Sequence, residues 1–310
     1  MPPPSSSRSE SPRRRLILGV VLGLVVAVAA YKARHHRPGL GTRLRGRSMD
    51  WSAGPLSLLT ANVQRLPYLV GRGAPDVAAM LRGGHDVVCL QEDFQPLLTL
   101  DRCRRDAAGG ALLQSHCWPA GSAATFLNSG LSVWSRYPLR VLSFERFRNL
   151  TSVDRLADKG FLAVEVGARG AGLIVVNTHL QATYDYRDVH YGVARAQVRQ
   201  ILDWLDAHHR ARPALVVGDF NYDIREEPDP PLPGVRRVHP ASPTHWTRMD
   251  SVFETSSAVP RHGFLPLTCD GAMFAERHAG RLRVADVATH RYDPHTDHLA
   301  VSFRVRITGQ

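Results

Sequence analysis

The sequence predicts an α/β fold in which a mixed β-sheet packs against a second sheet and the helices lie outside. Three observations support this prediction. Short apolar runs rich in β-branched residues recur after Met49 and end in polar residues. Helical patterns separate the early runs. Two later stretches, 131–142 and 160–167, show strand-like patterns without a helix between them, and strand pairs of that kind favour two packed sheets over a single parallel one.

The five clearest apolar runs each have a polar group at one end. Short apolar runs bounded by polar residues are typical of buried strands, and functional side chains concentrate where such strands end. The runs are Leu56–Ala61 before Asn62, Asp86–Leu90 before Gln91-Glu92, Leu173–Val176 before Asn177-Thr178-His179, Ala214–Val217 before Gly218-Asp219-Phe220-Asn221, and His298–Ile307 after Asp297. We therefore expect these polar residues to form a site.

Two stretches show helical rather than strand periodicity. In residues 188–210 the apolar side chains recur at the spacing of an amphipathic helix. They are Ala194, Val198, Ile201, Leu202 and Leu205. Residues 75–81 predict a shorter helix, and the Pro-rich residues 228–243 predict a loop. The chain from residue 51 to residue 310 is accordingly predicted to be one folded domain.

Positive charge is concentrated at the N-terminus. The chain of 310 residues has a formal net charge of +11, and residues 1–50 account for +8 of it, with ten Lys or Arg and two acidic residues. Residues 51–310 carry only +3. A nucleic-acid-binding domain usually carries its own basic surface. The near-neutral body therefore gives nucleic-acid binding no support.

The four cysteines exclude a disulfide-rich scaffold, and no two of them have the C-x-x-C spacing of a zinc site. Cys89 stands inside an apolar run, where cysteine behaves as a small buried hydrophobe. We expect the cysteines to be mostly reduced. Cys103 and Cys117 form a possible pair if the domain is exported.

The first 50 residues divide into three segments. Residues 1–15 form a polar, basic tail that ends in three arginines. Residues 16–31 carry no charge and are interpreted as a transmembrane anchor or a signal segment, although a full crossing takes about 20 residues. Residues 32–50 are basic and are interpreted as a tether near a lipid surface. The expected location is a membrane, by a single pass near the N-terminus, with secretion after signal cleavage as the alternative.

The polar residues at the strand ends share one chemistry. Hard oxygen ligands predominate and two histidines stand among them: Asn62, Glu92, Asp219, Asn221 and Asp297, with His179 and His298. Such a set suits Mg²⁺ or Ca²⁺ better than Zn²⁺. A histidine beside a carboxylate can activate water for attack at phosphorus. Each residue alone also has a structural explanation, such as a turn, but the whole set predicts metal-dependent hydrolysis of a phosphodiester.

Six short motifs in a fixed order carry a resemblance to a known superfamily. They are Leu59-Thr-Ala-Asn62, Leu90-Gln-Glu92, Asn177-Thr-His179, Gly218-Asp219-Phe-Asn221, Arg248-Met-Asp250 and Asp297-His298. In this order they resemble the endonuclease/exonuclease/phosphatase superfamily over about residues 56–307. The resemblance implies a four-layer α/β/β/α sandwich of the DNase I-like type, with the active site at one edge of the paired sheets.

Two further elements narrow the resemblance to the neutral sphingomyelinase-like branch. Asn177-Thr-His179-Leu-Gln181-Ala182 is similar to the histidine motif of that branch, and Asp154-x4-Lys159-Gly160 is similar to its Asp-x4-Lys-Gly element. Lys159 is also the only lysine after residue 50. A site that requires a compact ammonium rather than a planar guanidinium explains such a lysine. The structural alternative is an exposed loop lysine.

The resemblance also implies a role for each site residue. The ligands that it implies for Mg²⁺ are Glu92, Asn62 and Asp297. The catalytic residues that it implies are His298 as general base, Asp250 orienting the His298 ring, His179 steadying the phosphate, and Asp219 and Asn221 holding the attacking water and a phosphoryl oxygen. The substrate-binding residues that it implies are Lys159, Asp154 and Asn177.

Three classes of function follow from these observations. The leading one is a Mg²⁺-dependent phosphodiesterase, a monomer at a membrane surface, that cleaves a phospholipid headgroup, foremost sphingomyelin to ceramide and phosphocholine. The alternative is a nuclease of the same fold, with nucleic acid as its partner. The third is a non-enzymatic membrane-tethered binding protein, which is disfavoured because no motif residue has been lost. Membrane attachment and the near-neutral body favour lipid over nucleic acid.

Overall fold

The computed structural model describes residues 12–42, 54–66, 77–106, 115–167, 172–182, 188–225, 235–241, 243–248, 264–267, 269–292 and 298–308. Within these ranges the chain forms two large β-sheets, a two-stranded ribbon and four α-helices. The sheets pack face to face around a shared apolar core, and helices cover their outer faces. The predicted four-layer α/β/β/α sandwich of the DNase I-like type is confirmed.

The four helices are α1 (Pro12–His35), α2 (Val77–Arg82), α3 (Pro96–Asp106) and α4 (Asp188–His209). Helix α4 buries the apolar stripe that its periodicity predicts, including Val198 and Ile201, against the outer face of the second sheet. Helices α2 and α3 cover the first sheet together with the buried Trp118 and Trp134.

The first sheet has seven strands in the spatial order β1 (Gly39–Thr42), β4 (Ser115–Trp118), β5 (Ser132–Ser135), β3 (Val87–Gln91), β2 (Leu56–Asn62), β15 (Ala300–Ile307) and β14 (Leu282–His290). Strands β2 and β3 are parallel, and the other neighbours are antiparallel. This sheet is mixed, as the sequence predicts.

The second sheet has six strands in the spatial order β10 (Val235–Val238), β13 (Asp270–Ala275), β9 (Ala214–Asp219), β8 (Leu173–His179), β7 (Gly160–Val166) and β6 (Leu139–Arg146). Only β8 and β9 run parallel among these pairs. The separate ribbon pairs β11 (His245–Arg248) with β12 (Phe264–Leu267).

Strand direction decides which residues meet at the edge of the sandwich. The parallel pair β2–β3 places Asn62 beside Gln91, and the parallel pair β8–β9 places His179 beside Asp219. Antiparallel β13 begins where β9 ends, so that Asp270 pairs with Asp219. The carboxyl ends of the parallel strands and the amino end of β13 therefore lie at one edge.

Gly218 permits the close approach of β8 and β9 at that edge. Its φ of 146° lies outside the range that residues with a Cβ readily adopt. A Cβ at this position would lie 1.9 Å from the Thr178 carbonyl oxygen. Glycine thus allows Asp219 to stand beside His179.

The N-terminal segment differs from its prediction. In the described part of the chain no helix is both long enough and apolar enough to span a membrane, and the predicted single-pass membrane location is wrong. The last turns of α1 pack on the body instead: the buried Tyr31 hydroxyl donates to the Phe94 carbonyl oxygen at 2.9 Å, and Asn128 Nδ2 donates to the His35 carbonyl oxygen at 2.9 Å.

The predicted tether at residues 32–50 also contributes to the sheet. Strand β1 (Gly39–Thr42) pairs antiparallel with β4 and forms the edge of the first sheet. Gly39 pairs with Trp118, and a Cβ at residue 39 would lie 2.0 Å from a carbon of the Trp118 ring. The described part of this segment is therefore held against the body.

The described thiols agree with reduced cysteines. Cys89, Cys117 and Cys269 are free and buried. Burial raises the pKa of the Cys117 thiol to about 12, so this thiol is neutral and unreactive at physiological pH. The side chain of Cys103 lies outside the described part of the chain, and its pairing with Cys117 on export stays a prediction.

Candidate active site

The edge of the sandwich brings together most of the residues that the sequence selects. Asn62, His179 and Asp219 each end a strand, Glu92 follows β3 directly, and His298 stands just before β15. Two predicted residues, Asp250 and Asp297, lie outside the described residues. Their predicted roles stay predictions.

Asn62 joins the two sheets at the centre of this edge. Its amide Nδ2 donates to Glu92 Oε1 at 3.0 Å and to Asp219 Oδ2 at 2.9 Å. Its Oδ1 accepts from the backbone N–H of Gln64 at 3.1 Å. The amide nitrogen therefore holds the Glu92 and Asp219 carboxylates together. The amide oxygen, which is the atom that a metal-ligating asparagine would use, already accepts the hydrogen bond from Gln64.

Glu92 is held by an unusual backbone conformation and by its neighbour. Its φ of 55° is left-handed, a conformation that residues other than glycine adopt mainly where the surroundings enforce it. The buried Asp93 fixes this turn by accepting from Thr99 Oγ1 at 2.8 Å and from Ser132 Oγ at 2.9 Å. Burial raises the pKa of the Glu92 carboxyl, and the Asn62 hydrogen bond opposes that shift.

His179 is a neutral histidine. Its Nε2 lies 3.2 Å from Lys159 Nζ, 3.6 Å from Asp219 Oδ2 and 3.9 Å from Glu92 Oε1. Because an ammonium only donates, Nε2 accepts from Lys159 and the ring proton sits on Nδ1. Burial, followed by the charge of Lys159, lowers the pKa of His179 to about 3.

Lys159 is buried inside the site and is not an exposed loop lysine. Only 4% of the residue is accessible. Its Nζ lies 3.1 Å from Asp154 Oδ2, and it donates to the Leu180 carbonyl oxygen at 2.8 Å. The ammonium is therefore fixed between the Asp154 carboxylate and the ring of His179. Its predicted role in substrate binding stays a prediction.

The two motifs that narrow the resemblance contact each other directly. Asp154 lies in a 3-10 turn over Ser152–Leu156, and its Oδ2 accepts from the Ala182 backbone N–H at 2.8 Å. Gln181 Oε1 accepts from the Thr151 backbone N–H at 2.9 Å. The residues after His179 thus hold the turn that carries Asp154.

His298 is oriented by a carboxylate that the sequence analysis missed. Asp270 Oδ2 lies 2.9 Å from His298 Nδ1, and both side chains are buried. The predicted partner was Asp250. Asp270 was missed because it precedes an apolar run rather than following one. The sequence does contain a signal for it, because Asp270 stands directly before the apolar run Gly271–Ala275. His298 stands before β15 in the same way.

The Asp270–His298 pair fixes the tautomer of the histidine. The carboxylate accepts a hydrogen bond from Nδ1–H, so that Nε2 carries the lone pair. That nitrogen lies 3.7 Å from Asp219 Oδ2. Burial raises the pKa of the Asp270 carboxyl, and His298 opposes this shift. The two histidines of the site therefore differ, since His298 is paired with a carboxylate and His179 with an ammonium.

The two predicted asparagines occupy different places. Asn221 has a left-handed φ of 54°, its backbone N–H donates to Asp219 Oδ1 at 2.8 Å, and its Nδ2 donates to the Leu180 carbonyl oxygen at 3.0 Å. Asn177, predicted to bind substrate, has no accessible surface and lies beneath the site. Substrate cannot reach the Asn177 side chain in this arrangement.

The donor atoms of this edge fit a hard divalent cation. Among the described residues, one oxygen or nitrogen from each of Asp219, Asp270 and His298 lies within 4.8 Å of the other two. His298 Nδ1 is committed to Asp270, which leaves the carboxylates of Asp219 and Glu92 around the Asn62 amide. The buried Asp219 carboxylate and the partly buried Glu92 carboxylate repel each other, and this repulsion adds to burial in raising the pKa of Glu92. A bound cation relieves that repulsion, and oxygen donors suit Mg²⁺.

A two-sheet α/β sandwich with carboxylates, amides and histidines gathered at one edge defines a class of phosphoric ester hydrolases. The chain belongs to the Endonuclease/Exonuclease/phosphatase family, which matches it over residues 59–299. This confirms the family that the six motifs predict.

Two curated relatives are similar to about half of the chain. Sphingomyelin phosphodiesterase 5 from Mus musculus is 31% identical over 166 residues, which are 48% of this chain and 33% of the relative. The protein of the same name from Danio rerio is 30% identical over 169 residues, which are 48% of this chain and 30% of the relative. The matches span about a third of the relatives, and they agree with the predicted sphingomyelinase-like branch.

Three solved structures share the fold, and each match covers 81% of this chain and 99% of the other. Sphingomyelinase C from Streptomyces griseocarneus has 21% identity and a TM-score of 0.53. A beta toxin variant from Staphylococcus aureus with bound magnesium ions has 17% identity and a TM-score of 0.53. D. rerio TDP2 complexed with a single-strand DNA product has 17% identity and a TM-score of 0.54.

Proposed function

We propose that this protein is a Mg²⁺-dependent phosphodiesterase that cleaves the headgroup of a phospholipid, foremost sphingomyelin to ceramide and phosphocholine. The observation that carries the proposal is the buried Lys159–Asp154 pair beside His179. The similarity to sphingomyelin phosphodiesterase 5 supports the same substrate class. The substrate is presented at a membrane surface, and the protein acts on it as a monomer.

The general base of the proposed reaction is His298. Its Nε2 lone pair is directed by the Asp270 contact at Nδ1, and the 3.7 Å gap to Asp219 Oδ2 suits a water that bonds to both atoms. His298 removes the proton as the water oxygen attacks phosphorus. The phosphorus–oxygen bond to the ceramide oxygen breaks, and that oxygen takes up a proton from solvent. The Asp270 carboxylate stabilises the imidazolium that forms, which then returns its proton to solvent.

The proposed phosphate site lies beside Lys159 and His179. The Lys159 ammonium supplies positive charge beside the phosphate, and its three protons fix the ring of neutral His179 against Asp154 and the Leu180 carbonyl oxygen. The Asn62 amide holds the Glu92 and Asp219 carboxylates in place. Glu92 and Asp219 would hold the Mg²⁺ ion, which offsets the charge that develops on the phosphoryl oxygens. The beta toxin structure with bound magnesium ions supports this choice of metal.

The proposal is tested by assaying the purified chain with Mg²⁺ against sphingomyelin, phosphatidylcholine and plasmid DNA. We expect phosphocholine release from sphingomyelin that stops when EDTA removes the metal and returns when Mg²⁺ is added. Cleavage of DNA without cleavage of either lipid would contradict the proposal.

A nuclease is the second candidate, because D. rerio TDP2 is a structural neighbour in complex with a DNA product. The charge of the chain argues against it. Residues 51–310 carry a net charge of only +3, and proteins that bind the nucleic-acid backbone usually present a strongly basic surface. The DNA arm of the assay decides between the two candidates.

Lys159→Arg is expected to lower turnover by about 10- to 100-fold, although the positive charge is kept. The buried ammonium contacts Asp154, His179 and the Leu180 carbonyl oxygen at 2.8 to 3.2 Å, and the larger planar guanidinium cannot keep these three contacts. Steady-state kinetics on sphingomyelin measure the effect, and thermal melting confirms that the variant is folded.

Lys32→Arg is the matched control, because it makes the same chemical change in α1, outside the edge that carries the site. We expect its turnover to remain within about twofold of wild type, as is usual for a conservative surface change. A Lys159→Arg protein as active as the control would remove the main structural reason for choosing a sphingomyelinase over a nuclease.

A further inference from the structure

A pair of buried amides connects the two sheets directly beneath the site. Gln91 ends β3 in the first sheet and Asn177 lies in β8 of the second. Gln91 Nε2 donates to Asn177 Oδ1 at 2.6 Å. Both residues have 0% accessible surface, so this contact is closed to solvent and to substrate.

The remaining polar atoms of the pair are also satisfied within the protein. Asn177 Nδ2 donates to the carbonyl oxygens of Leu90 at 2.9 Å and of Ser132 at 3.0 Å. Gln91 Nε2 donates to Thr60 Oγ1 at 3.0 Å. The pair therefore links β8 of the second sheet to β2, β3 and β5 of the first.

Stability alone does not explain amides at this position. The surrounding core between the sheets is apolar, and removing an amide from water costs free energy. The hydrogen bonds of the buried amide offset that cost but add little net stability. Apolar residues of similar volume at buried polar positions are often as stabilising or more so. What the amides add over apolar residues is directionality, because hydrogen bonds fix the separation and register of the two sheets.

The catalytic groups are the immediate neighbours of this pair. Glu92 follows Gln91, and His179 lies two residues after Asn177, on the same face of β8. Two contacts across the sheets depend on the spacing here: Glu92 Oε1 to His179 Nε2 at 3.9 Å and Asn62 Nδ2 to Asp219 Oδ2 at 2.9 Å.

We propose that the Gln91–Asn177 bridge is a positioning element that holds the two halves of the active site at their working distance. Neither residue touches substrate. The proposal rests on the proposed phosphodiesterase function only for its kinetic test. A misplacement of about 1 Å in a catalytic group commonly costs about 100-fold in rate, so a small change in sheet spacing at this bridge is enough to be measured.

The kinetic test replaces Gln91 by methionine, which keeps the length of the side chain and removes its hydrogen bonds. We expect kcat on sphingomyelin to fall by about 10- to 100-fold, while KM changes by less than about threefold because no substrate contact is lost. Thr60→Val removes only the hydroxyl partner of Gln91 and keeps the shape, so it is expected to fold and to lose kcat by a few-fold.

Glu165→Gln is the matched control for stability. Glu165 is buried in β7, away from the site edge, and pairs with Arg140 and Arg212. Its substitution weakens a buried polar cluster without touching the bridge. We expect a lower melting temperature and a wild-type kcat below that temperature. If Gln91→Met and Thr60→Val also keep a wild-type kcat while folded, the bridge is only structural and the proposal is overturned.

A structural measurement separates failure of this proposal from failure of the proposed function. If the wild-type chain hydrolyses no phosphodiester, crystal structures of wild type and Gln91→Met still report the Glu92–His179 separation. We expect this separation to increase, or the two side chains to become disordered, in the variant. An unchanged, well-ordered Glu92–His179 geometry in Gln91→Met would overturn the positioning role whatever the activity of the protein.

Discussion

Replacing Glu92 by glutamine is expected to reduce phosphodiester hydrolysis by about 10²- to 10³-fold, the usual effect of removing one group that stabilises charge in the transition state. Glutamine keeps the shape of the side chain and its contact with Asn62, whose Nδ2 lies 3.0 Å from Glu92 Oε1. It removes the negative charge that a divalent cation requires. The measurement is kcat as a function of Mg²⁺ concentration, with sphingomyelin as the substrate.

The metal itself gives a second readout of the same change. Calorimetric titration with Mg²⁺ is expected to show weaker binding to Glu92→Gln than to wild type. Glu276→Gln, an identical substitution on an exposed turn, is the control and is expected to bind Mg²⁺ as wild type does. Near-normal turnover of Glu92→Gln at limiting Mg²⁺ would show that Glu92 is not a ligand.

His298 and Asp270 are expected to behave as one unit. His298→Ala removes the general base and is expected to cost about 10²- to 10⁴-fold in kcat. Asp270→Asn keeps the shape but no longer holds the ring in the tautomer that leaves Nε2 free, and a loss of up to about 10⁴-fold follows. The double variant is expected to lose little more than His298→Ala alone, because residues that act together are not additive.

A second double-mutant cycle, with Asp250 in place of Asp270, tests the partner of His298 that the motif resemblance implies. If Asp270 orients His298, the losses from Asp250→Asn and His298→Ala add in free energy, whereas those from Asp270→Asn and His298→Ala do not. Additive losses for the Asp270 pair, together with non-additive losses for the Asp250 pair, would return the orienting role to Asp250. Thermal melting of each variant shows that the loss is not one of folding.

The strands and the chemistry of the site follow from local features of the sequence. A run such as Leu173–Val176 is apolar throughout because both faces of β8 are buried, and that pattern can be recognised without a structure. The polar residues directly after such runs, Asn62 and Asp219 among them, mark the edge where the site lies. Their donor atoms already indicate a hard metal and a phosphate ester. Residue type and short-range periodicity are sufficient for these inferences, because they depend on neighbours along the chain.

The partners of these residues were decided by the tertiary structure. Asp270 reaches His298 because β13 runs antiparallel to β9, and strand direction is set by packing rather than by the residues within the strand. Asn177 belongs to the same motif as His179, but the first sheet covers its side chain and makes it an internal support. The uncharged stretch at residues 16–31 gave a membrane prediction from hydropathy alone. The contact between Tyr31 and Phe94 joins residues distant in sequence, and only the folded chain brings such residues together.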